Sequence, residues 1–376
     1  MIFLDNASTS KMSESVLNEY IKEAENFINP SASYSFALKN KQKIEDAKQR
    51  VCNCLHVAYK ENLIFTGSAS EANNLAIFGS AKKGEAQYIF SLGEHLSVFN
   101  AAQELKNRGY NVQFCPLTSD GTLDLDALEK LLKEPTAFLS CIHVSNETGA
   151  VNDIQKIGNM LKSKHKNAIF HCDGVQAFGK IDVNLSDGIV DLYTISAHKI
   201  NGPKGIGALY VKNKAKLKPI IFGGGQEFGI RSGTENLPAI AAFALACEEK
   251  NKNLKQNYDY VLSLKNAFLK NINQDDIKLN SIESNSPYII SLSFVGVRGE
   301  TLVRMCDDEN VLIGTGSACS SKKGTLNRIL QAMGKNKQEN EGAIRISFSS
   351  SNTIEEVEKA SKIIVENFNK LKNMLS

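Results

Sequence analysis

The stretch "DLYTISAHKINGPKGIGALYV", residues 191–211, decides the fold. A short apolar run ends at Ser196, Lys199 follows directly, and "NGPKG" closes a turn before a second apolar run, "GALYV". Short apolar runs bounded by glycine, proline and asparagine read as buried strands. Working outward, the same unit recurs at "NLIFT" (62–66), "QYIFS" (87–91), "TAFLSCIHV" (136–144) and "AIFHC" (168–172). Amphipathic stretches such as "SEANNLAIFGSA", "SVFNAAQELKNRG" and "DLDALEKLLKE" lie between them. Strand and helix in alternation predict an α/β architecture with a mostly parallel sheet covered on both faces.

The rhythm changes after a polar helical run at 248–272. "YIISLSFV" and "AIRISFS" alternate as half-buried antiparallel strands would, and "TIEEVEKASKIIVENFNKLKNML" forms a closing helix. A chain of 376 residues is long enough for two domains at about 100–200 residues each. The expected organisation is a large α/β domain over residues 13–250. A smaller α+β domain is expected from residues 1–12 and 251–376.

Composition excludes several classes. A net charge of +3 is too weak to imply nucleic acid or a membrane surface as partner. No apolar run approaches the ~20 residues of a membrane span, and the start, "MIFLDNASTSKMSESV", has no secretory pattern; the expected location is the cytoplasm. Eight cysteines scattered through such a chain read as free thiols. The tightest group, Cys52, Cys54 and His56, sits in a helical run where positions two apart face different ways, so helix packing rather than a metal is expected.

In open α/β sheets ligands bind beyond the carboxyl ends of the strands. Each strand end here is followed by polar groups. "GSASEANN" opens a helix whose free N–H groups suit an anion. His95 follows the second strand, Asn146 the third, Asp173 and Gln176 the fourth, and Ser196, His198 and Lys199 the fifth. Taken singly these are turn caps and solvated charges; together they describe a pocket. A lysine for a Schiff base, an aspartate for a pyridine nitrogen, a histidine to stack and a phosphate cradle are the requirements of pyridoxal phosphate.

The segments "FTGSASEANNLAI", "EHLSV", "HVSNETGAV", "DGVQAFGKIDV", "SAHKINGPKGIGALYV", "FGGGQEFGIRSGTEN", "TGSACSS" and "AIRISFS" occur in family order. In them the chain resembles the class V aminotransferase-like cysteine desulfurases of the NifS and IscS group, from its opening to Ser350. The resemblance implies the type I fold of pyridoxal-phosphate-dependent transferases and carries roles position by position. Lys199 matches the Schiff-base lysine, Asp173 the pyridinium partner, and Gln176 the residue that bonds the ring hydroxyl. Asn146 lies beside ring and substrate, and His95 stacks on the ring and moves protons. Ala69, Ser70, Ser196 and His198 match phosphate-binding positions. Thr234 matches a residue reaching the neighbouring subunit's phosphate, which implies a homodimer. Arg345 matches the clamp for the substrate carboxylate, a task suited to its planar fork. There are departures: Ser68-Ala69-Ser70 replaces a glycine-rich run ending in threonine, and Gly174 stands where alanine is common, adding backbone freedom beside Asp173.

Cys319, in "IGTGSACSSKKG", 313–324, matches the family's sulfur-accepting thiol. The implied reaction converts L-cysteine to L-alanine, with the sulfur left as a persulfide on Cys319 for an acceptor such as an iron–sulfur scaffold of the NifU or IscU kind. Gly314 and Gly316 are expected to let this loop swing between the pocket and its acceptor. Lys322 and Lys323 read equally as charges that favour the thiolate and as solvated surface lysines. Rival readings are a selenocysteine lyase or class V aminotransferase using the same site, a cysteine hydrolase built on Cys319, and a non-catalytic sulfur relay.

Overall fold

The computed structural model describes residues 1–272, 274–315 and 326–375. Their strands are β1 (Ile2–Leu4), β2 (Leu63–Thr66), β3 (Gln87–Ser91), β4 (Val112–Cys115), β5 (Thr136–Ser140), β6 (Ile169–Asp173), β7 (Leu192–Ser196), β8 (Gly207–Val211), β9 (Ile277–Leu279), β10 (Ile289–Phe294), β11 (Val311–Thr315) and β12 (Ala343–Ser347). They form two sheets, with orders β2-β8-β7-β6-β5-β3-β4 and β1-β11-β12-β10-β9.

In the larger sheet β7, β6, β5, β3 and β4 run parallel, while β8 is antiparallel to both β7 and β2. Every residue of β2, β3, β6, β7 and β8 is buried. That is why these strands are continuous apolar runs rather than alternating ones. Phe65, Phe170 and Tyr193 pack on one face against the helices Ser35–Cys54, Ile154–Lys164 and Leu237–Lys252. Ile64, Phe90 and Leu209 pack on the other against Ala69–Ser80 and Leu96–Asn107. Cys52 and Cys54 are buried in the first of these cores. His56 lies past the helix end with φ 57°.

Several expectations need correction. The run 136–144 is a strand only to Ser140, because the chain then turns out of the sheet. Ile142 O accepts from the Asn152 side chain at 2.7 Å, and a Val144–Val151 bridge closes a loop carrying Asn146. β4, absent from the sequence reading, is an edge strand with Gln113 exposed, so it has no uninterrupted apolar run to betray it. The polar run 248–272 is divided between two helices, Leu237–Lys252 and Leu254–Leu269, with Asn253 non-helical between them.

The smaller sheet joins the two ends of the chain: β1 pairs parallel with β11, and β11 antiparallel with β12. Its apolar face packs on the helices Leu254–Leu269, Gly299–Asp308 and Ile354–Leu375. β10 and β12 are not half-buried as expected; every residue of both is buried. Their polar alternation is real but faces protein. Asn280 donates to the hydroxyls of Ser291 and Ser293 at 3.2 and 2.8 Å. Ser281 and Asn285 both donate to Thr148 O in the loop after β5. From the strands of this sheet, Arg345 on β12 reaches the site.

Candidate active site

Beyond the carboxyl ends of β5, β6 and β7 lies a cavity of about 560 Å³, whose lining includes Ala69, Ser70, His95, Asn146, Asp173, Gln176, His198, Lys199 and Arg345. Nine of the residues singled out from the sequence thus meet in one place. Ser196 does not line it; it is buried at the end of β7, paired with Gly207. Thr234 also lies outside the cavity, exposed in the segment before the helix Leu237–Lys252. Cys319, Gly316, Lys322 and Lys323 fall outside the described residues. Ile313, Gly314 and Thr315 belong to β11 and are not loop. Gly314 is not a hinge: a Cβ there would lie 2.8 Å from Asp5 Oδ1 and 3.1 Å from Arg345 Nη2. It is glycine because an ion pair passes over it.

Lys199 closes a single turn of 3₁₀ helix, Ala197–Lys199, directly after β7. Its Nζ donates to Ala7 O and Ser8 O at 2.7 and 2.6 Å. Burial, reinforced by Arg345 and opposed by Asp5 and Asp173, lowers its pKa to about 8. A neutral amine is therefore accessible at near-neutral pH. His198, beside it, is pushed down to about 4 by burial and by Lys199, and serves as an uncharged donor or acceptor.

Asp173 ends β6, its carboxylate held by Asn73 Nδ2 at 2.8 Å and by the Val175 amide at 3.0 Å. It is buried, and no ion pair with a described residue compensates it. The other amide hydrogen of Asn73 goes to Ser97 Oγ at 2.8 Å, which lies 2.8 Å from His95 Nδ1. His95 Nδ1 also accepts the Ser97 main-chain N–H at 3.2 Å. The proton therefore sits on Nε2, toward the cavity. The ring opens on the cavity mouth but is otherwise surrounded by protein. Burial disfavours its imidazolium, and Asp173 offsets this only in part.

Gly174 has a different reason from the one expected. Its φ is not positive, and a Cβ would stand 2.0 Å from Tyr193 Cζ. The residue makes room for a ring rather than adding freedom. Tyr193 Oη in turn lies 2.8 Å from His143 Nδ1.

At the other end, Ala69 and Ser70 open the helix Ala69–Ser80, capped by Ser68, with free amides toward the cavity. A Cβ on Gly207 would fall 2.8 Å from Ala69 N, so glycine lets β8 run against this turn. The first-turn carboxylate, Glu71, is neutralised by Arg231 Nε at 2.7 Å. Arg345 donates to Asp5 Oδ1 at 2.7 Å and to Asn146 O at 3.0 Å. Its Nε, and Asn146 Oδ1, are buried without a described partner.

These observations fit pyridoxal phosphate: an uncompensated buried carboxylate, a low-pKa lysine, a helix N-terminus and orphaned polar atoms share one cavity. The sequence reading missed the residues that hold the first ones in place. Asn73 lies one helical turn after Ala69, on the same side of the helix, and is buried behind the cavity lining. Glu94, Glu147, Asn327 and Arg328 also line the site. Glu94 is buried, its pKa raised to about 8 by burial against a Ser140 hydrogen bond of 2.7 Å. Arg328 donates to the carbonyls of Leu92 and Glu94, pinning the loop that presents His95.

Comparison with known proteins agrees with this geometry. The aminotransferase class-V family model matches residues 2–360. The cysteine desulfurase IscS of Clostridium botulinum is 34% identical over 372 residues, covering 96% of this chain and 93% of that protein. Cysteine desulfurase IscS 1 of Archaeoglobus fulgidus is 33% identical, covering 100% and 98%. Among solved structures, a NifS-like protein superimposes with a TM-score of 0.92 at 31% identity, covering 98% of this chain and 100% of the other. SspA in complex with cysteine matches with a TM-score of 0.83 at 30% identity, covering 94% and 100%. The chain belongs to the class-V aminotransferase family, within its NifS and IscS group of cysteine desulfurases.

Proposed function

We propose that this chain is a pyridoxal-phosphate-dependent cysteine desulfurase that converts L-cysteine to L-alanine and carries the released sulfur on Cys319. The observation that carries the reading is the Lys199 amine, lowered to about 8, sharing a cavity with the uncompensated Asp173 carboxylate. Pyridoxal phosphate, when bound, supplies an electron sink for charge developing at the substrate's Cα. The chain's own residues do the rest. Asp173, fixed by Asn73 and Val175, offers a buried anion to a pyridinium. Gln176 has its Oε1 taken by Lys180 Nζ at 2.5 Å and one amide hydrogen on Ala7 O at 2.9 Å, which leaves the second amide hydrogen to donate. Ala69, Ser70 and His198 offer uncharged donors to a phosphate, with Ser196 supporting from behind. Lys199, as a neutral amine, takes up a proton at Nζ. His95 presents Nε2–H to the cavity and relays protons there. Arg345, already bonded to the loop of Asn146, binds a carboxylate.

We further propose that residues 13–250 form the cofactor-binding domain and that 1–12 with 251–376 form the smaller one. The functional unit is read as a homodimer in which exposed Thr234 serves the neighbouring site, working in the cytoplasm with a NifU- or IscU-type scaffold as sulfur acceptor. The test is reconstitution with pyridoxal phosphate. Wild-type protein should turn yellow and form alanine from L-cysteine, whereas Lys199→Ala should do neither. A colourless, inactive wild type would refute the reading.

A further inference from the structure

Arg345 faces two carboxylates before any substrate arrives. Asp5 Oδ1 lies 2.7 Å from its Nη2, and Glu147 Oε1 lies 3.7 Å from its Nη1. Glu147 also accepts from Asn146 Nδ2 at 2.8 Å and from Asn327 Nδ2 at 3.2 Å. It is a hub, touching the carboxylate clamp, the loop of Asn146 and the residue that caps the helix Arg328–Ala332. A substrate carboxylate docked on Arg345 would place three negative groups around one guanidinium whose side chain is only 6% exposed. Like charges in a shared buried site do not all stay ionised. One must gain a proton.

We propose that Glu147 is that group: a carboxylate docking on Arg345 is accompanied by proton uptake at Glu147, so Glu147 sets the pH range in which the enzyme binds its substrate. The inference rests on reading Arg345 as the substrate's carboxylate clamp. Glu147 is favoured over Asp5 because its side chain is 12% exposed against 22%. The charged groups facing it are Arg345 on β12, Asp5 after β1 and Arg328 on the helix after Asn327. Burial already raises its pKa to about 7, with Arg345 pulling it down and Asp5 pushing it up. A further anion raises it more. The sign follows: below about pH 7 Glu147 is protonated beforehand and binding takes up little, whereas above it each docking event consumes a proton. The dissociation constant then rises up to about tenfold per pH unit.

The probe is 3-mercaptopropionate, which carries the carboxylate and thiol but no amine to react with a cofactor. Its binding to the holoenzyme is measured by calorimetry at pH 8 in buffers of different ionisation enthalpy, and its dissociation constant is followed from pH 6.5 to 8.5. Wild type should take up close to one proton at pH 8 and weaken steadily above pH 7. Glu147→Gln should bind without uptake and with a flat profile. Asp5→Asn removes one of the three carboxylates and the charge that pushes Glu147 up, so it should shift the uptake and the onset of weakening to lower pH without abolishing them, and it supplies the test if Glu147→Gln folds poorly. Uptake that persists in Glu147→Gln, or an uptake profile unmoved by Asp5→Asn, would overturn the assignment. Proton-neutral binding by wild type, with binding lost in Arg345→Ala, would overturn the proposal while sparing the clamp. Undiminished binding to Arg345→Ala would overturn both.

Discussion

The two sheets carry the same kind of duty by opposite means. The larger one buries both faces under helices and presents its chemistry only at strand ends, where Asp173 and Lys199 stand just where regular structure stops. The smaller one presents chemistry from mid-strand, through the side chain of Arg345 on β12. Its polar face, lined by Ser291 and Ser293 on β10, is covered by the rest of the molecule rather than by water. An end-of-strand site tolerates loop variation around it, because the sheet's hydrogen bonds are complete without it. A face-on site does not: every polar atom on that face needs a protein partner or costs free energy.

The comparison can be broken most severely at Asp173. Asp173→Asn removes the buried anion that the large sheet presents, and activity should fall at least roughly a hundredfold, with the fold intact by circular dichroism. Retained activity would mean the strand-end carboxylate has no electrostatic role. The neighbouring lysine gives a pH signature. Cofactor capture by the apo protein needs the neutral amine, so its rate should climb through about pH 8. A climb near 10.4, the value for an ordinary lysine, would show that the cavity does not depress it.

Next in size is Gly174→Ala, which drives a Cβ to 2.0 Å from Tyr193 Cζ. It should cost about 1–3 kcal/mol in chemical denaturation. Part of that loss should be recovered when Tyr193→Leu vacates the space, even though the bond to His143 is lost. Strictly additive losses in the double-mutant cycle would contradict the steric account. On the small sheet, Gly314→Ala should disturb the Asp5–Arg345 pair and raise KM for L-cysteine while leaving cofactor absorbance unchanged. Smallest is Ser293→Ala, which removes the shorter of the two hydrogen bonds donated by the Asn280 amide, leaving the one to Ser291, and should cost about 0.5–1.5 kcal/mol. A cost near zero would place that face in water after all.

The same contrast explains what the sequence made legible. Parallel strands buried on both faces announce themselves as apolar runs, and the groups at their ends follow in chain order, so His95, Asp173 and Lys199 could be read off directly. Polar alternation in β10 and β12 looks identical whether the polar side meets solvent or a neighbouring wall, so their burial was not legible. Nor were the supports. Asn73, Glu94 and Glu147 lie within the quoted motifs, two of them adjacent to a residue already singled out. Their roles depend on distances of about 3 Å across the fold that no spacing encodes. Gly174 and Gly314 mislead for a related reason: glycine signals either freedom or close approach, and only the neighbour decides which. Tyr193 lies 19 positions from Gly174 in the chain.

The most direct measurement compares wild-type holoenzyme with Cys319→Ala at equal cofactor occupancy, following alanine from L-cysteine under reducing conditions and protein-bound persulfide in a single turnover without added reductant. The expected result is alanine and a protein-bound persulfide from the wild type, and neither from the variant with its yellow colour intact. Equal alanine from both would contradict the account, leaving the cavity as a cofactor site but removing Cys319 from the reaction.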